Sequence, residues 1–338
     1  MAQSAPFRVG IVGCGAITQM AHIPACKWLD RVRLVGLVDT DLDQARKLAA
    51  EHEVPLAAPS LDDLFDKVDA VILATPPHVR SKLTQQALAH GLHVLCEKPM
   101  ANSTEECRRM LAQGQQANRT LAIAHTYRFF RNRAYARARY QAGQFGRLLS
   151  ARVDQGDPYS WPTRTAYTLR KEWVPGGVLF NEGVHIVDML LWWFGAPERF
   201  DYADDSLGGL ESNVRLVLHY PEGATVNFRL SRTCSLANKV EMQFEKAKIT
   251  FPIYNMSDLD LTVGESDPVH LSVHQKSWDF EEVAASQLAD FTLTATQGLP
   301  SEIPGQAGLA VVEFIEACYE SKARRPRPNQ MPLPGFTW

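Results

Sequence analysis

A glycine-rich segment near the start of the chain has the residue types that bind the pyrophosphate of a dinucleotide. In VGIVGCGAIT, residues 9–18, Gly13 allows a tight turn and Gly15 lets backbone amides approach a pyrophosphate at the positive end of the next helix. Thr18 stands where a third glycine or alanine is usual, so we expect it to loosen helix packing or to offer its hydroxyl to the ligand. Asp39 ends the next apolar segment, where a carboxylate accepts both ribose hydroxyls.

Asp39 also bears on which dinucleotide is bound. Its carboxylate would repel a 2′-phosphate, and it is followed by Thr40 and Asp41 rather than by an arginine. We therefore predict NAD as the cofactor, with NADP disfavoured. The alternative for Asp39 is a cap at the end of a strand.

A lysine and a polar helix face are further candidates for chemistry. Lys98 follows the apolar segment His93–Cys96, and the carboxyl end of a strand in an open parallel sheet faces the ligand crevice. Lys98 would point to where a nicotinamide meets a substrate, although alone it would be an ordinary surface lysine. If a helix begins near Asn181, this residue and His185 share one face, with Asp188 one turn further. A lone helical histidine is usually a core residue, but these polar neighbours favour a site.

An aromatic and basic segment, residues 155–173, precedes this helix and is the candidate substrate loop. Its aromatic faces suit a pyranose ring, and its basic side chains could meet a carboxylate or phosphate. The alternative is that these residues only pack and solvate a long connection. Two residues outside the loop could also line the cleft. The candidates are Tyr127, Arg128, Arg164, Arg170, Lys171 and Trp173.

The elements that must position these residues fall into two groups. Through residue 125, short apolar runs alternate with amphipathic stretches, which is typical of a parallel sheet covered by helices. The predicted strands are Phe7–Val12, Val32–Val38, Ala70–Ala74, His93–Cys96 and Thr120–Ala124, and the predicted helices are Ala16–Leu29, Leu42–Glu51, Val79–His90 and one capped by the STEE segment at residues 103–106. Beyond it, alternation in residues 213–219, 225–230 and 239–244 predicts a mostly antiparallel sheet. Two helices, Val184–Phe194 and Leu309–Ser321, interrupt this second domain.

Composition excludes several classes of protein. The 338 residues are 45% hydrophobic and 22% charged, and 35 Lys and Arg against 38 Asp and Glu leave no basic excess for nucleic acid. The apolar run at residues 189–195 is far shorter than the roughly 20 residues of a membrane span, and the beginning of the sequence has no basic leader. Six cysteines without C-x-x-C pairs predict reduced thiols and no metal site. We expect a cytoplasmic protein without membrane or nucleic-acid partners.

The motifs together resemble the glucose-fructose oxidoreductase, inositol dehydrogenase and MocA (Gfo/Idh/MocA) family. The resemblance lies in the GCGAI turn at residues 13–17, Asp39, TPPHV at 75–79, EKP at 97–99, YRF at 127–129 and GGVLFNEGVHIVD at 176–188. It spans most of the chain and implies an amino-terminal Rossmann doubly wound parallel sheet, residues 1–125. It also implies a carboxy-terminal α/β domain with a large open, mostly antiparallel sheet, residues 126–338. Assembly through that sheet into a homodimer or homotetramer is implied as well.

The same resemblance implies roles for single residues. Lys98 would hydrogen-bond the reacting oxygen and share in proton transfer, with its pKa lowered beside the cofactor's positive ring. His185 would be the general base or acid, since a reference pKa near 6.5 suits proton transfer at neutral pH. Asn181 stands where aspartate is frequent, so it could orient substrate but not take a proton. The expected cofactor contacts are Gly13, Gly15, Ala16, Ile17, Asp39, Thr75, Pro76, His78, Glu97 and Lys98, and the expected substrate contacts are Lys98, Tyr127, Arg128, Arg164, Trp173, Asn181 and His185.

The implied activity is hydride transfer between a nicotinamide cofactor and a secondary alcohol or ketone of a sugar, a sugar derivative or a cyclitol. The nicotinamide carries the hydride while the protein orients it and handles the proton. One alternative is a nucleotide-binding sensor without turnover, which Lys98 and His185 argue against and Asn181 keeps open. Another is a sugar oxidoreductase with tightly bound NADP, which Asp39 argues against.

Overall fold

The computed structural model describes residues 5–162, 165–273 and 280–324. Its first sheet is built from β1 (Phe7–Val12), β2 (Val32–Val38), β3 (Leu56–Ala58), β4 (Ala70–Leu73), β5 (His93–Cys96) and β6 (Leu121–Ile123). These strands pair in parallel in the order β3-β2-β1-β4-β5-β6. The order reverses beside β1, and such a reversal opens a crevice at the carboxyl ends of the strands. The predicted Rossmann sheet is confirmed.

Four helices that connect its strands pack on this sheet, namely α1 (Ile23–Trp28), α2 (Leu42–His52), α3 (Pro77–Ala89) and α4 (Thr104–Ala117). Gly91, just after α3, has a φ of 77°, the left-handed conformation that favours glycine. The Ser103 hydroxyl accepts a hydrogen bond from the Glu106 amide and so caps α4. The predicted helix at 16–29 differs, because a π-helical turn, Thr18–His22, precedes α1. The Thr18 hydroxyl is buried and donates to the Gly13 carbonyl at 2.5 Å, and its contact with a ligand stays a prediction.

The second sheet has eight strands, β7 (Leu148–Gly156), β8 (Arg199–Asp204), β9 (Asn213–His219), β10 (Thr225–Ser231), β11 (Lys239–Phe244), β12 (Ala247–Pro252), β13 (Asp258–Val263) and β14 (Val269–Ser272). Their order is β14-β13-β12-β11-β7-β10-β9-β8, and all pairs are antiparallel except β7 with β10. Alternate residues such as Val226, Phe228 and Leu230 are buried in one core, as the two-residue periodicity predicts.

Helices α5 (Arg131–Gln141), α6 (Val184–Phe194), α7 (Phe280–Gln297) and α8 (Gly305–Arg324) complete the fold. A second π-helical turn, Leu179–Gly183, runs directly into α6, where the sequence predicts an ordinary helix beginning near Asn181. Helix α7, which the sequence analysis does not predict, packs Leu288 and Phe291 into the core of the first sheet. The domain division at residue 125 therefore stays a prediction, because the later part of the chain returns to the first sheet. None of the helices in the described ranges is long and apolar enough to cross a membrane.

Candidate active site

The turn after β1 has the shape that a bound phosphate group needs. Gly13 has a φ of 100°, and a Cβ there would lie 2.7 Å from the carbonyl oxygen of Ala74, so only glycine fits. A Cβ at Gly15 would meet no atom of the described residues within 4 Å. The space over Gly15 is thus open beside the backbone amides of the turn, and Ala16 and Ile17 continue the chain toward the π-helical turn.

The carboxylate of Asp39 is held next to this turn. One oxygen accepts from the Cys14 amide at 2.7 Å, and the other accepts from the Asp41 amide at 2.9 Å. The first bond ties the end of β2 to the turn after β1, where the ribose of a dinucleotide would lie. These residues fit NAD, because a negative charge at this place accepts ribose hydroxyls and repels a 2′-phosphate.

The loop after β4 forms the neighbouring part of the crevice. The Thr75 hydroxyl and the Nδ1 atom of His78 are buried, and neither has a hydrogen-bond partner within the described part of the chain. Pro76 lies between them, directly before α3. The imidazole of His78 stacks on Trp173, with 4.8 Å between ring centroids, so the candidate substrate loop covers this end of α3.

Arg80 is a buried residue that the sequence analysis missed. Its guanidinium donates to the carbonyl of Glu97 at 2.7 Å and also to the carbonyls of Pro99 and Thr75. Arg80 therefore ties the loop after β4 to the loop after β5. Its distance of 17 residues from Glu97 left no local pattern that would have revealed it.

Lys98 connects the loop after β5 to the π-helical turn that carries Asn181. Its Nζ atom donates to the main-chain carbonyl of Asn181 at 3.0 Å, and its own amide donates to Glu97 at 3.1 Å. The other oxygen of the buried Glu97 carboxylate lies 3.0 Å from Nε2 of His22. The Lys98–Pro99 peptide bond is cis. Burial lowers the pKa of Lys98, while Glu97 and Glu182 partly offset this effect.

The π-helical turn that carries Asn181 is held by a buried carboxylate, Glu211, which the sequence analysis also missed. Its two oxygens accept from the amides of Gly177 at 2.7 Å and Leu179 at 3.0 Å, and one of them also accepts from the Tyr319 hydroxyl at 2.8 Å. A Cβ at Gly177 would lie 2.0 Å from the Glu211 carbonyl oxygen, which explains why glycine is needed there. Glu211 thus sets the position of the turn against Lys98.

His185 is half-buried at the start of α6 and stacks on Tyr127, with 4.7 Å between ring centroids. Its Nδ1 atom is buried and lacks a hydrogen-bond partner among the described residues. Burial lowers the pKa of His185 well below its ordinary value, and the charges of Lys98, His125 and Arg133 lower it further. The expectation of a pKa suited to neutral pH is therefore corrected, because the imidazole is already uncharged at pH 7.

The acidic residue one turn along α6, Asp188, is part of a buried ion pair. Arg128 donates to it from Nη2 at 2.6 Å and from Nε at 3.0 Å, and donates from Nη1 to the Glu302 carbonyl at 2.7 Å. Its guanidinium is therefore engaged within the protein, and its role in substrate binding stays a prediction. His125 lies 3.6 Å from Asp188, and burial lowers the pKa of His125 to about 4.

Arg170 and Lys171, two basic residues of the candidate substrate loop, each contact another group of the chain. The guanidinium carbon of Arg170 lies 4.3 Å from the centroid of the Trp173 ring. Lys171 donates to the carbonyl of Gly208. Arg164 lies outside the described residues. Of the predicted site residues, Lys98, Asn181, His185 and Tyr127 form one cluster, and Trp173 lies at His78 instead.

Comparison with known proteins identifies the family. Residues 7–125 match an oxidoreductase family with an NAD-binding Rossmann fold, and residues 134–250 match the GFO/IDH/MocA carboxy-terminal domain. The chain belongs to the Gfo/Idh/MocA family. The family resemblance and the NAD-binding fold expected from the sequence are both confirmed.

Three individual relatives have sequence identities of 30% or less to this chain. The chain is 30% identical to 1-carboxy-3-chloro-3,4-dihydroxycyclohexa-1,5-diene dehydrogenase of Comamonas testosteroni, over 54% of this chain and 46% of that protein. It is 29% identical to D-glucoside 3-dehydrogenase of Escherichia coli, over 57% of this chain and 56% of that protein. The matched regions span about half the length of these relatives. Levoglucosan dehydrogenase, solved with NADH and levoglucosan, has the same fold, with a TM-score of 0.86 at 17% identity over 94% of this chain and 98% of that one.

The pKa of His185 can be tested without any assay of activity. We expect the imidazole to stay neutral through the range near pH 6.5 in which an unperturbed histidine titrates, because burial disfavours its charged form. The measurement is a histidine-selective NMR titration, with the His185 signal assigned by its absence from His185→Ala. A titration midpoint at or above about 6.5 would contradict the electrostatics described here.

Proposed function

We propose that this chain is an NAD-dependent oxidoreductase that moves a hydride between the nicotinamide and a secondary alcohol or ketone of a sugar, a sugar derivative or a cyclitol. The observation that carries the proposal is the cluster of Lys98, Asn181 and His185 at the carboxyl edge of the NAD-binding sheet. The names of the relatives, a D-glucoside 3-dehydrogenase and a dehydrogenase of a dihydroxylated ring, support this substrate class.

The proposed cofactor contacts follow the edge of the first sheet. They comprise the turn with Gly13, Gly15, Ala16 and Ile17, the ribose acceptor Asp39, and Thr75, Pro76, His78, Glu97 and Lys98 along the crevice. The buried hydroxyl of Thr75 and the Nδ1 atom of His78 support this assignment, because each needs a hydrogen-bond partner. When bound, the nicotinamide supplies the hydride chemistry.

The residues of the chain would handle the oxygen and its proton. Lys98 donates a hydrogen bond to the reacting oxygen, and its lowered pKa helps it to share the proton. His185 is uncharged at pH 7 and has an unpaired ring nitrogen within the described structure, so in the oxidative direction it accepts the hydroxyl proton. Asn181 holds Lys98 through its main-chain carbonyl and offers its side chain to a substrate hydroxyl. Tyr127 stacks on the ring of His185 and so supports its orientation.

We also propose that the chain forms a homo-oligomer through the open face of the second sheet. That face carries charged side chains, including the buried Asp154 with Arg229 at 2.6 Å and Arg152 at 2.7 Å. Light scattering of the purified chain should give the mass of a dimer or tetramer. A mass near 37.8 kDa, that of a single chain, would contradict the assembly.

All six cysteines are thiols, five of them buried, which suits a reducing compartment such as the cytoplasm.

Removing the ammonium of Lys98 should abolish most turnover. We expect Lys98→Met to lower kcat/KM by at least about a hundredfold, the usual contribution of a proton-transfer group, while NADH binding is retained. The assay follows absorbance at 340 nm with NAD across free sugars, glycosides, inositols and sugar acids. Lys82→Met, on the exposed side of α3, is the matched control. Turnover of Lys98→Met within about threefold of the wild type would remove Lys98 from the reaction.

The preference for NAD should depend on Asp39. We expect Asp39→Ala to lower the ratio of NADH affinity to NADPH affinity by about tenfold, because it removes a charged acceptor for the ribose hydroxyls and the repulsion of a 2′-phosphate. Fluorescence titration with each nucleotide measures the ratio. Asp43→Ala, an exposed change of the same type in α2, is the control. An unchanged ratio would exclude Asp39 from the ribose site.

A further inference from the structure

His22 is a buried histidine that neither the motifs nor the proposed mechanism uses. It ends the π-helical turn Thr18–His22, which follows the glycine turn after β1. Its Nε2 atom lies 3.0 Å from Oε1 of Glu97, and the two residues are 3% and 8% exposed. The turn that would receive the pyrophosphate is therefore connected by a side-chain contact to the loop that carries Lys98.

The charge of Glu97 decides which atom of this contact carries the hydrogen. Burial raises the pKa of Glu97, but the hydrogen bond with His22 and the charge of Lys98 outweigh burial and lower the pKa overall. An ionised carboxylate can only accept hydrogen bonds, so Nε2 of His22 is the donor. A buried carboxylate oxygen that lost this donor would be left without water and would favour any other donor within reach.

The two carboxylate oxygens of Glu97 bind different groups. Oε1 accepts from His22, whereas Oε2 accepts from the main-chain amide of Lys98 at 3.1 Å. The Nζ atom of Lys98 donates instead to the Asn181 carbonyl at 3.0 Å. The carboxylate thus holds the main chain of Lys98, while the ammonium is directed to the π-helical turn before α6.

The main chain of Glu97 is fixed independently of its side chain. Its amide donates to the Leu73 carbonyl at 3.0 Å, and its carbonyl accepts from Arg80 at 2.7 Å. Loss of the His22 donor would therefore free the carboxylate to turn without displacing the loop. A carboxylate 3.1 Å from the amide of Lys98 lies within reach of the flexible side chain of the same lysine.

We propose that His22 is a positioning residue that, by binding one oxygen of Glu97, keeps this carboxylate on the Lys98 main chain and leaves the Lys98 ammonium for the reacting oxygen. This inference rests on the proposed function, in which Lys98 shares the proton. Without the imidazole, the carboxylate of Glu97 would take the ammonium as its new donor. An ammonium paired in this way is held in its charged form and is withheld from the substrate.

Two substitutions of His22 separate the hydrogen bond from the volume of the ring. His22→Leu removes the donor, whereas His22→Gln keeps an N–H group close to the place of Nε2. His90→Leu is the control, because His90 is an exposed histidine just before β5, at the edge of the first sheet opposite the site. Circular dichroism and NADH titration report whether each variant is folded and binds the nucleotide.

The first readout is the pKa of Lys98, which needs no substrate. It is measured by NMR on protein labelled with carbon-13 at the lysine Cε atoms, with the Lys98 signal assigned by its absence from Lys98→Met. We expect His22→Leu to raise this pKa by about one unit, because an opposite charge favours the ammonium, and His22→Gln to keep it within about 0.3 unit. The other ionisable groups whose charges interact with Lys98 are the same in these variants, namely Arg80, His125, Glu182 and His185.

The second readout is turnover with NAD on a substrate that the wild type oxidises. We expect kcat of His22→Leu to fall at least about tenfold, while its KM and its NADH affinity stay within about threefold of the wild type. His22→Gln should keep kcat within about threefold, and His90→Leu should match the wild type in every parameter.

The outcomes separate this inference from the proposed function. A Lys98 pKa that is unchanged or lower in folded His22→Leu would overturn the inference, and so would a His22→Gln variant as impaired as His22→Leu. If His22→Leu does not fold, His22→Asn takes its place, because the shorter amide does not reach Glu97. Absence of wild-type turnover with either NAD or NADP would contradict the proposed function, and the pKa of Lys98 would still decide whether His22 controls the carboxylate.

Discussion

The hydrogen bond from Lys98 to the main-chain carbonyl of Asn181, 3.0 Å long, is the contact on which the candidate site depends. Lys98 follows β5 of the first sheet, whereas Asn181 belongs to the π-helical turn before α6, so this bond joins the two elements. Each end is secured separately. Arg80 ties the loop that contains Lys98, and Glu211 accepts the amides that begin the turn. A main-chain carbonyl cannot change rotamer as a side-chain acceptor can, so it holds the Lys98 ammonium in one orientation.

The charges of Glu97 and His185 depend on how deeply each is buried and on whether it has a partner of opposite charge. Glu97 is buried, and burial alone would raise its pKa, but the hydrogen bond with His22 and the charge of Lys98 lower it overall. Within the described ranges no carboxylate pairs with His185, so burial lowers its pKa and leaves a neutral imidazole. Asp188 is occupied by Arg128 rather than by His185. Glu97 is thus ionised beside Lys98 and His185 is uncharged, and these are the charge states that the proposed roles of Lys98 and His185 require.

The sequence analysis was most successful where the signal is local. Gly13, Asp39 and Lys98 each follow a strand within a few residues, and strand ends in a parallel sheet meet at one edge, so their positions could be predicted. The second sheet was predicted from the alternation of apolar and polar residues in β9, β10 and β11, which is also a local signal. Helix α7 was missed because it follows a segment of mixed composition and uses several small residues at its buried positions, although Ala284, Leu288 and Phe291 do have helical spacing.

The remaining features depend on contacts between distant parts of the chain. Glu211 lies 34 residues after Gly177, and nothing near Glu211 in the sequence indicates that it holds the π-helical turn. Because of that turn, α6 begins at Val184 rather than near Asn181. A π-helical turn departs from the regular 3.6-residue period on which the sequence analysis depends.

The most direct measurement of the central claim is a crystal structure of the chain grown with NAD. The account predicts the pyrophosphate against the turn of Gly13 and Gly15, the ribose hydroxyls on Asp39, and the nicotinamide ring in the space beside Lys98 and His185. We also expect the contact between Lys98 and the Asn181 carbonyl to persist in that crystal. A nicotinamide ring bound outside that space, with Lys98 facing away from it, would contradict the account.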